Sequence, residues 1–308
     1  MSYKQQNFVS AVIYVHDDEN TVEASIKTVH AVLAENFEKF EIICVNDAST
    51  DNTKQIIKGI GAGMENCMVS ILNMSYYQGL EASMRAGVDL AIGDFVFEFD
   101  KAVVDFEPGL IMQLYNRALQ GYDIVSCGSG AGRVSSRLFY SIYNRFSATQ
   151  HMLQSETFRV ISRRGINRVN SLSVTAPYRK AIYANCGLKI DYIKYKPTHA
   201  GSGKQMLKNP QDTALNTLII FSDIAYKITM FFTVLMMLLT LAVVGYVIAI
   251  YVMGNPIEGY TTMMILISVS FFGVFGILTM IIKYLSLMLG LIFNRQKYVI
   301  ESIEKITG

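Results

Sequence analysis

Five short apolar runs set the rhythm of the first half of the chain: FVSAVIYV (8–15), EIICVND (41–47), MVSILNM (68–74), FVFEFD (95–100) and DIVSCG (123–128). Each is rich in Val, Ile or Phe and ends at a polar or turn-forming cluster, which predicts buried strands. Between them, near 19–35, 51–60, 79–91 and 107–120, lie stretches that read as helices. Strand–helix alternation of this kind predicts a mostly parallel sheet covered on both faces. In such a sheet, ligands bind at the carboxyl ends of the strands.

The pattern changes in the last third. Residues 228–253 and 260–282 carry no charge. At 1.5 Å per residue the first run reaches about 39 Å as a helix, more than the hydrocarbon core of a bilayer requires. The two runs predict a transmembrane hairpin. Its link, GNPIEG, holds Glu258 but no Lys or Arg, whereas Lys204, Lys208 and Lys227 precede the pair and Lys283, Arg295, Lys297 and Lys305 follow it. That bias places both termini in the cytoplasm. Two further stretches read as interfacial helices. In 133–147, Leu138, Ile142 and Phe146 form a stripe beside Arg133, Arg137 and Arg145, with a core-facing helix as the rival reading. The other, 284–296, either extends the second span or bends along the surface. The expected division is a cytoplasmic α/β domain over 1–209, a juxtamembrane helix over 210–227, the two spans, and a cytoplasmic tail over 283–308.

Charge sharpens this division. Residues 1–132 hold 18 acids and 8 bases, whereas residues 133–208 hold 14 bases and 2 acids. A basic section next to an apolar C-terminus points to an anionic partner at a membrane surface, so 133–208 is read as the membrane- and acceptor-facing part. A nucleic-acid partner is set aside because the chain also carries membrane spans. The four cysteines, Cys44, Cys67, Cys127 and Cys186, form no CxxC pair and read as buried small apolar residues. The opening MSYKQQNFVSAVIYV reads as a first strand rather than a signal peptide.

Candidate chemistry collects at the strand ends: HDDE (16–19) after the first, NDASTD (46–51) after the second, and Asp100 after the fourth. Adjacent acids there suit hydroxyl recognition or a cation that bridges phosphates. Neither GxGxxG nor GxxxxGK[ST] is present, so a dinucleotide fold and a P-loop are unsupported.

VSAVIYVHDDENTV, EIICVNDASTDNT and AGVDLAIGDFVFEFD resemble the GT-A, Rossmann-like domain of family-2 glycosyltransferases. The terminal hairpin with NRQKYVI, and SRLFYSIYNRFS and FRVISRR between the blocks, resemble the polyprenyl-phosphate glycosyltransferases, the group of bactoprenol glucosyltransferase and dolichol-phosphate mannose synthase. The resemblance covers nearly the whole chain. It implies a nucleotide sugar, with UDP-glucose or UDP-N-acetylglucosamine the usual donors. The acceptor is the phosphate of undecaprenyl phosphate or another polyprenyl lipid, in the bacterial cytoplasmic membrane. It further implies a Mg²⁺ or Mn²⁺ ion and a homo-oligomer, tetrameric in relatives. Carried over residue by residue, Tyr14, Asp18, Asp47, Glu81 and Asp100 fall at nucleotide-sugar positions. Arg133, Arg137 and Lys204 fall near the acceptor phosphate. Arg159 matches the arginine of the family's DFR segment, so Asp100, Asp105 and Arg159 are the catalytic candidates, with Asp100 and Asp105 the metal pair.

The departures are specific. The family's Asp-x-Asp-x-Gln-Asp reads Asp100, Lys101, Ala102, Val103, Val104, Asp105, and Ala102 and Val104 cannot ligate a metal. YYQGLE (76–81) keeps Gly79 and Glu81 of RNFGKE but not its basic pair, and Thr157 replaces the acid before Phe158. From these departures follows a second reading, a catalytically degenerate membrane partner in glycan assembly. A processive polysaccharide synthase is disfavoured, because the chain has no Trp and only two spans.

Overall fold

A computed structural model describes residues 4–64, 67–129, 154–172, 178–198 and 298–306, together with scattered helical positions between 231 and 288. The chain forms two units, Met1–Thr217 with Gln296–Gly308, and Leu218–Arg295.

In the first unit the five apolar runs are strands: β1 (Val9–Val15), β2 (Phe40–Asn46), β3 (Met68–Met74), β4 (Phe95–Phe99) and β5 (Ile124–Gly128). Each lies within one residue of its expected position. Helices α1 (Val22–Asn36), α2 (Thr53–Gly61), α3 (Leu80–Leu90) and α4 (Gly109–Leu119) connect them. Strands β1 and β2 are buried along their whole length, which is why they read as mostly apolar runs rather than as alternating ones. The remaining described elements are β6 (Phe158–Ser162), α5 (Arg163–Ser171), α6 (Arg179–Ala184), β7 (Ile190–Lys194) and β8 (Ile300–Ile306).

The eight strands form one sheet in the order β7-β5-β6-β4-β1-β2-β3-β8. β4, β1, β2 and β3 are parallel, β6 runs antiparallel between β4 and β5, and β8 pairs antiparallel with β3. The order of connection reverses at β1, between β4 and β2, so the crevice at the carboxyl ends of β1 and β4 is the topological switch point, where ligands of such sheets bind. One core packs α1, α2 and α4 on one face through Val22, Ile26, Leu33, Ile57 and Leu114. The other packs α3, α5 and α6 through Met84, Ile166 and Tyr183. Helix α3 crosses β1 and β2 so closely that a Cβ on Gly87 would lie 2.5 Å from both Val12 Cγ1 and Val45 Cγ2. No larger residue fits there unless those side chains or the helix shift.

The last strand is a departure from the expected tail. Residues 300–306 extend the sheet beyond β3 instead of trailing from it. Glu304 accepts from Lys54 and Lys58 of α2 and from Asn73 of β3, and Tyr298 Oη donates to Asp89 of α3. The side-chain amide of Gln78 forms a two-way bond with the Val299 peptide. Residues 298–306 are thus fastened into the first unit.

The expected spans, the juxtamembrane helix and the interfacial helices fall almost entirely outside the described residues. Among the described residues no helix is long and apolar enough to cross a membrane. In the second unit the described positions are helical, and many are large, apolar and exposed, including Phe231, Leu235, Leu238, Met263, Ile267, Val274, Leu278 and Ile281.

Candidate active site

At the ends of β1 and β2 the acids foreseen from sequence mostly hold the two loops to each other. Asp17 accepts from Thr50 N, Glu19 accepts from Asn52 N, and Asp51 accepts from Glu19 N and Thr53 N. Asp17 and Ala48 both sit in the left-handed backbone region, with φ of 53°. Such turns are unfavourable for residues other than glycine and persist where surrounding bonds fix them.

Asp47 is fully buried and takes three donors: Gln78 N on Oδ1 at 2.8 Å, and Tyr14 Oη and Gly79 N on Oδ2 at 2.9 and 2.8 Å. The carry-over placed Asp47 and Tyr14 on the nucleotide. The structure turns them toward each other and onto the 76–79 loop. Burial, followed by the Asp47 charge, pushes the Tyr14 phenol far up, so it stays protonated and donates. Asp18 differs. It is half-buried, its Oδ2 accepts from His16 N, and among the described residues its other oxygen has no partner. Burial raises its pKa. Asp18 is therefore the strand-end carboxyl best able to take a hydroxyl or base edge. Next to it the His16 and Tyr77 rings lie 4.5 Å apart, centroid to centroid.

The end of β4 is more unusual. Glu98 and Asp100, two residues apart, project from the same face. Arg159 stands opposite Glu98 in the β4–β6 ladder. Its Nη1 donates to Glu98 Oε2 at 2.9 Å and its Nη2 to Asp100 Oδ2 at 2.8 Å. Its Nε lies 3.2 Å from Glu156 Oε2 without hydrogen-bond geometry. Arg179, at the start of α6, donates from Nη1 to Glu98 Oε2, from Nη2 to Asp100 Oδ1, and from N and Nε to Glu81 Oε2. Tyr183 Oη donates to Glu98 Oε1 at 2.6 Å, and Lys180 Nζ lies 3.4 Å from Asp100 Oδ2. Glu98 and Arg159 are fully buried, and Asp100 and Arg179 are each 4% exposed. Burial raises the Asp100 pKa, but Arg159, Lys180 and Arg179 outweigh it and hold it well below the usual carboxylate range. The same acids keep both arginines charged against their own burial.

The two acids of the expected metal pair are engaged by other partners. Both Asp100 oxygens are occupied by guanidinium donors, and Ala102 is buried and apolar. Asp105 Oδ1 lies 2.8 Å from Tyr195 Oη, which also lies 2.8 Å from Thr157 Oγ1, the position that has lost its acid. Among the described residues no group of three His, Cys, Asp or Glu could hold a metal. This donor set does not fit the divalent ion that the resemblance implied. Glu81 and Arg159, placed by the carry-over at substrate and catalytic positions, are members of the buried network. The sequence reading did not single out Glu98, Arg179, Lys180 or Tyr183. The acid-x-acid spacing Glu98–Phe99–Asp100 was the one signal that pointed to Glu98. Arg133, Arg137 and Lys204 lie outside the described residues.

Comparison with known proteins agrees with this architecture. Residues 10–186 match the family Glycosyl transferase family 2. An uncharacterized glycosyltransferase of Synechocystis sp. is 27% identical over 270 residues, 84% of each chain. The SfII prophage-derived bactoprenol glucosyl transferase of Shigella flexneri is 26% identical over 309 residues, covering 95% of this chain and 97% of that one. Among solved structures, the glucosyl-3-phosphoglycerate synthase of Mycobacterium tuberculosis, in complex with Mn²⁺, UDP and glucosyl-3-phosphoglycerate, superposes with a TM-score of 0.50. That match has 14% identity over 71% of this chain and 81% of that one, and it speaks to the fold alone. With the family match spanning more than half of its residues and the sheet that such enzymes share, the chain belongs to glycosyl transferase family 2 and is a glycosyltransferase.

Proposed function

We propose that this glycosyltransferase moves a hexose from a nucleotide sugar, UDP-glucose or UDP-N-acetylglucosamine, to the phosphate of undecaprenyl phosphate, in the service of cell-surface glycan modification. The observation that carries the reading is the end-to-end match to a bactoprenol glucosyl transferase, which extends through the apolar C-terminal region as well as the sheet domain. The acceptor phosphate oxygen attacks the anomeric carbon, and the bond from that carbon to the nucleoside diphosphate breaks. A phosphate monoester is already anionic near neutral pH, so this nucleophile has little need of a strong general base. Asp18, half-buried at the switch point with one oxygen unpartnered among the described residues, is assigned to the donor. Arg133, Arg137 and Lys204, from the basic section, are assigned to the acceptor phosphate.

The exposed apolar helical positions between 231 and 288 support a membrane anchor, with spans 228–253 and 260–282. We place the chain in the bacterial cytoplasmic membrane, sheet domain and termini on the cytoplasmic side, as a homo-oligomer. The test is incubation of the purified full chain with undecaprenyl phosphate and a panel of labelled nucleotide sugars, in EDTA and in Mg²⁺ or Mn²⁺. The expected result is a labelled lipid with one donor. Absence of labelled lipid with every donor in every condition overturns the reading.

A further inference from the structure

We propose that in this chain the buried guanidiniums of Arg159 and Arg179 stand in place of the divalent cation, so that the nucleotide donor binds without a metal. The inference rests on the nucleotide-sugar reading above. It departs from what the M. tuberculosis neighbour holds, which is Mn²⁺ with UDP.

Charge carries the first part of the argument. Glu98 and Asp100, the two carboxylates a divalent ion would neutralise, each pair with both Arg159 and Arg179, which pair in addition with Glu156 and Glu81 respectively, and Lys180 stands beside Asp100. The cationic partners of those two carboxylates are thus already in place. A metal entering here would meet both guanidiniums at close range, where repulsion inside a protein is strong.

Coordination gives the second part. Mg²⁺ and Mn²⁺ call on oxygen ligands. Each oxygen of Glu98 and Asp100 already accepts from Arg159, Arg179 or Tyr183. Ala102 supplies no side-chain oxygen, and Asp105 faces Tyr195.

Anchoring gives the third. Arg159 is fixed within a strand ladder opposite Glu98, and Arg179 is pinned at its backbone N as well as its side chain by Glu81. Neither is a surface arginine able to swing aside for an ion. Lys180, 8% exposed, adds a further positive charge beside Asp100.

The experiment is calorimetric titration of the full chain in lipid nanodiscs with UDP, GDP and dTDP, in EDTA and again in Mn²⁺. The expected result is that one nucleotide binds and that Mn²⁺ changes its affinity by less than about threefold. Tightening by tenfold or more, equal to about 1.4 kcal/mol, overturns the inference while leaving the functional reading intact. Failure of every nucleotide to bind in either condition overturns the functional reading and the inference with it. Arg179→Met removes one positive charge and keeps both carboxylates. In EDTA this variant is expected to bind the nucleotide at least about tenfold more weakly, with Mn²⁺ restoring the loss. Unchanged affinity in EDTA counts against the role given to the arginine pair. Where the variant does not fold, the wild-type comparison decides alone.

Discussion

Replacing Arg159 with methionine tests the buried charge network directly. The substitution keeps an unbranched apolar side chain of similar reach but removes three ion-pair contacts, to Glu98 at 2.9 Å, Asp100 at 2.8 Å and Glu156 at 3.2 Å. It also removes the guanidinium that lies 5.5 Å from the Tyr183 ring centroid. Breaking a buried pair by deleting one partner costs about 3–5 kcal/mol, because the remaining charge is left without compensation. Arg179 and Lys180 still face the two acids. The lower figure applies, about 3 kcal/mol, or roughly 150-fold in the opening equilibrium. Hydrogen–deuterium exchange of peptides from β4 and β6 reads that number within the sheet domain of the full chain. Exchange there should accelerate by about 100-fold, and adding Glu98→Gln to the variant should recover more than about 1 kcal/mol of the loss. Acceleration below tenfold would refute the claim that the network stabilises the fold. The sign with pH follows from Asp100. Its folded pKa lies below its unfolded value, so the stability it contributes is complete above about pH 4 and lost as pH falls further. The wild-type advantage over Arg159→Met should shrink in the same acid range.

Gly87→Ala drives a methyl group into Val12 and Val45 and should cost about 1–3 kcal/mol, seen as faster exchange in α3 and β1, whereas Gly59→Ala, which meets nothing within 4 Å, should not. Glu304 is held to a pKa of about 2, below its usual 4.5, by hydrogen bonds from Lys54 and Lys58. Its pairs are partly exposed and contribute about 1 kcal/mol together after solvent screening. Protection of β8 in the wild type should exceed that in Glu304→Gln at neutral pH, and the gap should close as pH falls from about 4.5 toward 2; a constant gap would refute the ionic account.

The central sheet was legible in the sequence because burial on both faces leaves a simple record. Strands such as VSAVIYV and FEIICVN are buried along their length and mostly apolar, and the helices between them repeat on a different period. The switch-point acids were legible too, since carboxylates directly after buried strands stand out against their surroundings. Their roles were not. Asp18 and Asp47 are both acids at a strand end, yet among the described residues one accepts only from His16 N while the other takes three donors, two of them from the 76–79 loop. Strand β8 was missed because an exposed edge strand with charges, IESIEKI, carries little apolar signal; its partner β3 lies more than two hundred residues earlier.

By itself the sequence determined the alternation of strands and helices, the polarity of the strand ends and the loss of ligands at Ala102 and Val104. Local chemistry suffices for those, since each depends on residues a few positions apart. Only the tertiary structure decided what became of the acids that remained. Arg159 arrives from an antiparallel strand and Arg179 from a helix about 80 residues downstream of Glu98, and both turn their charge onto Glu98 and Asp100 in a space that excludes water. A carboxylate buried there must be neutralised by whatever cation the fold delivers, and this fold delivers guanidinium groups.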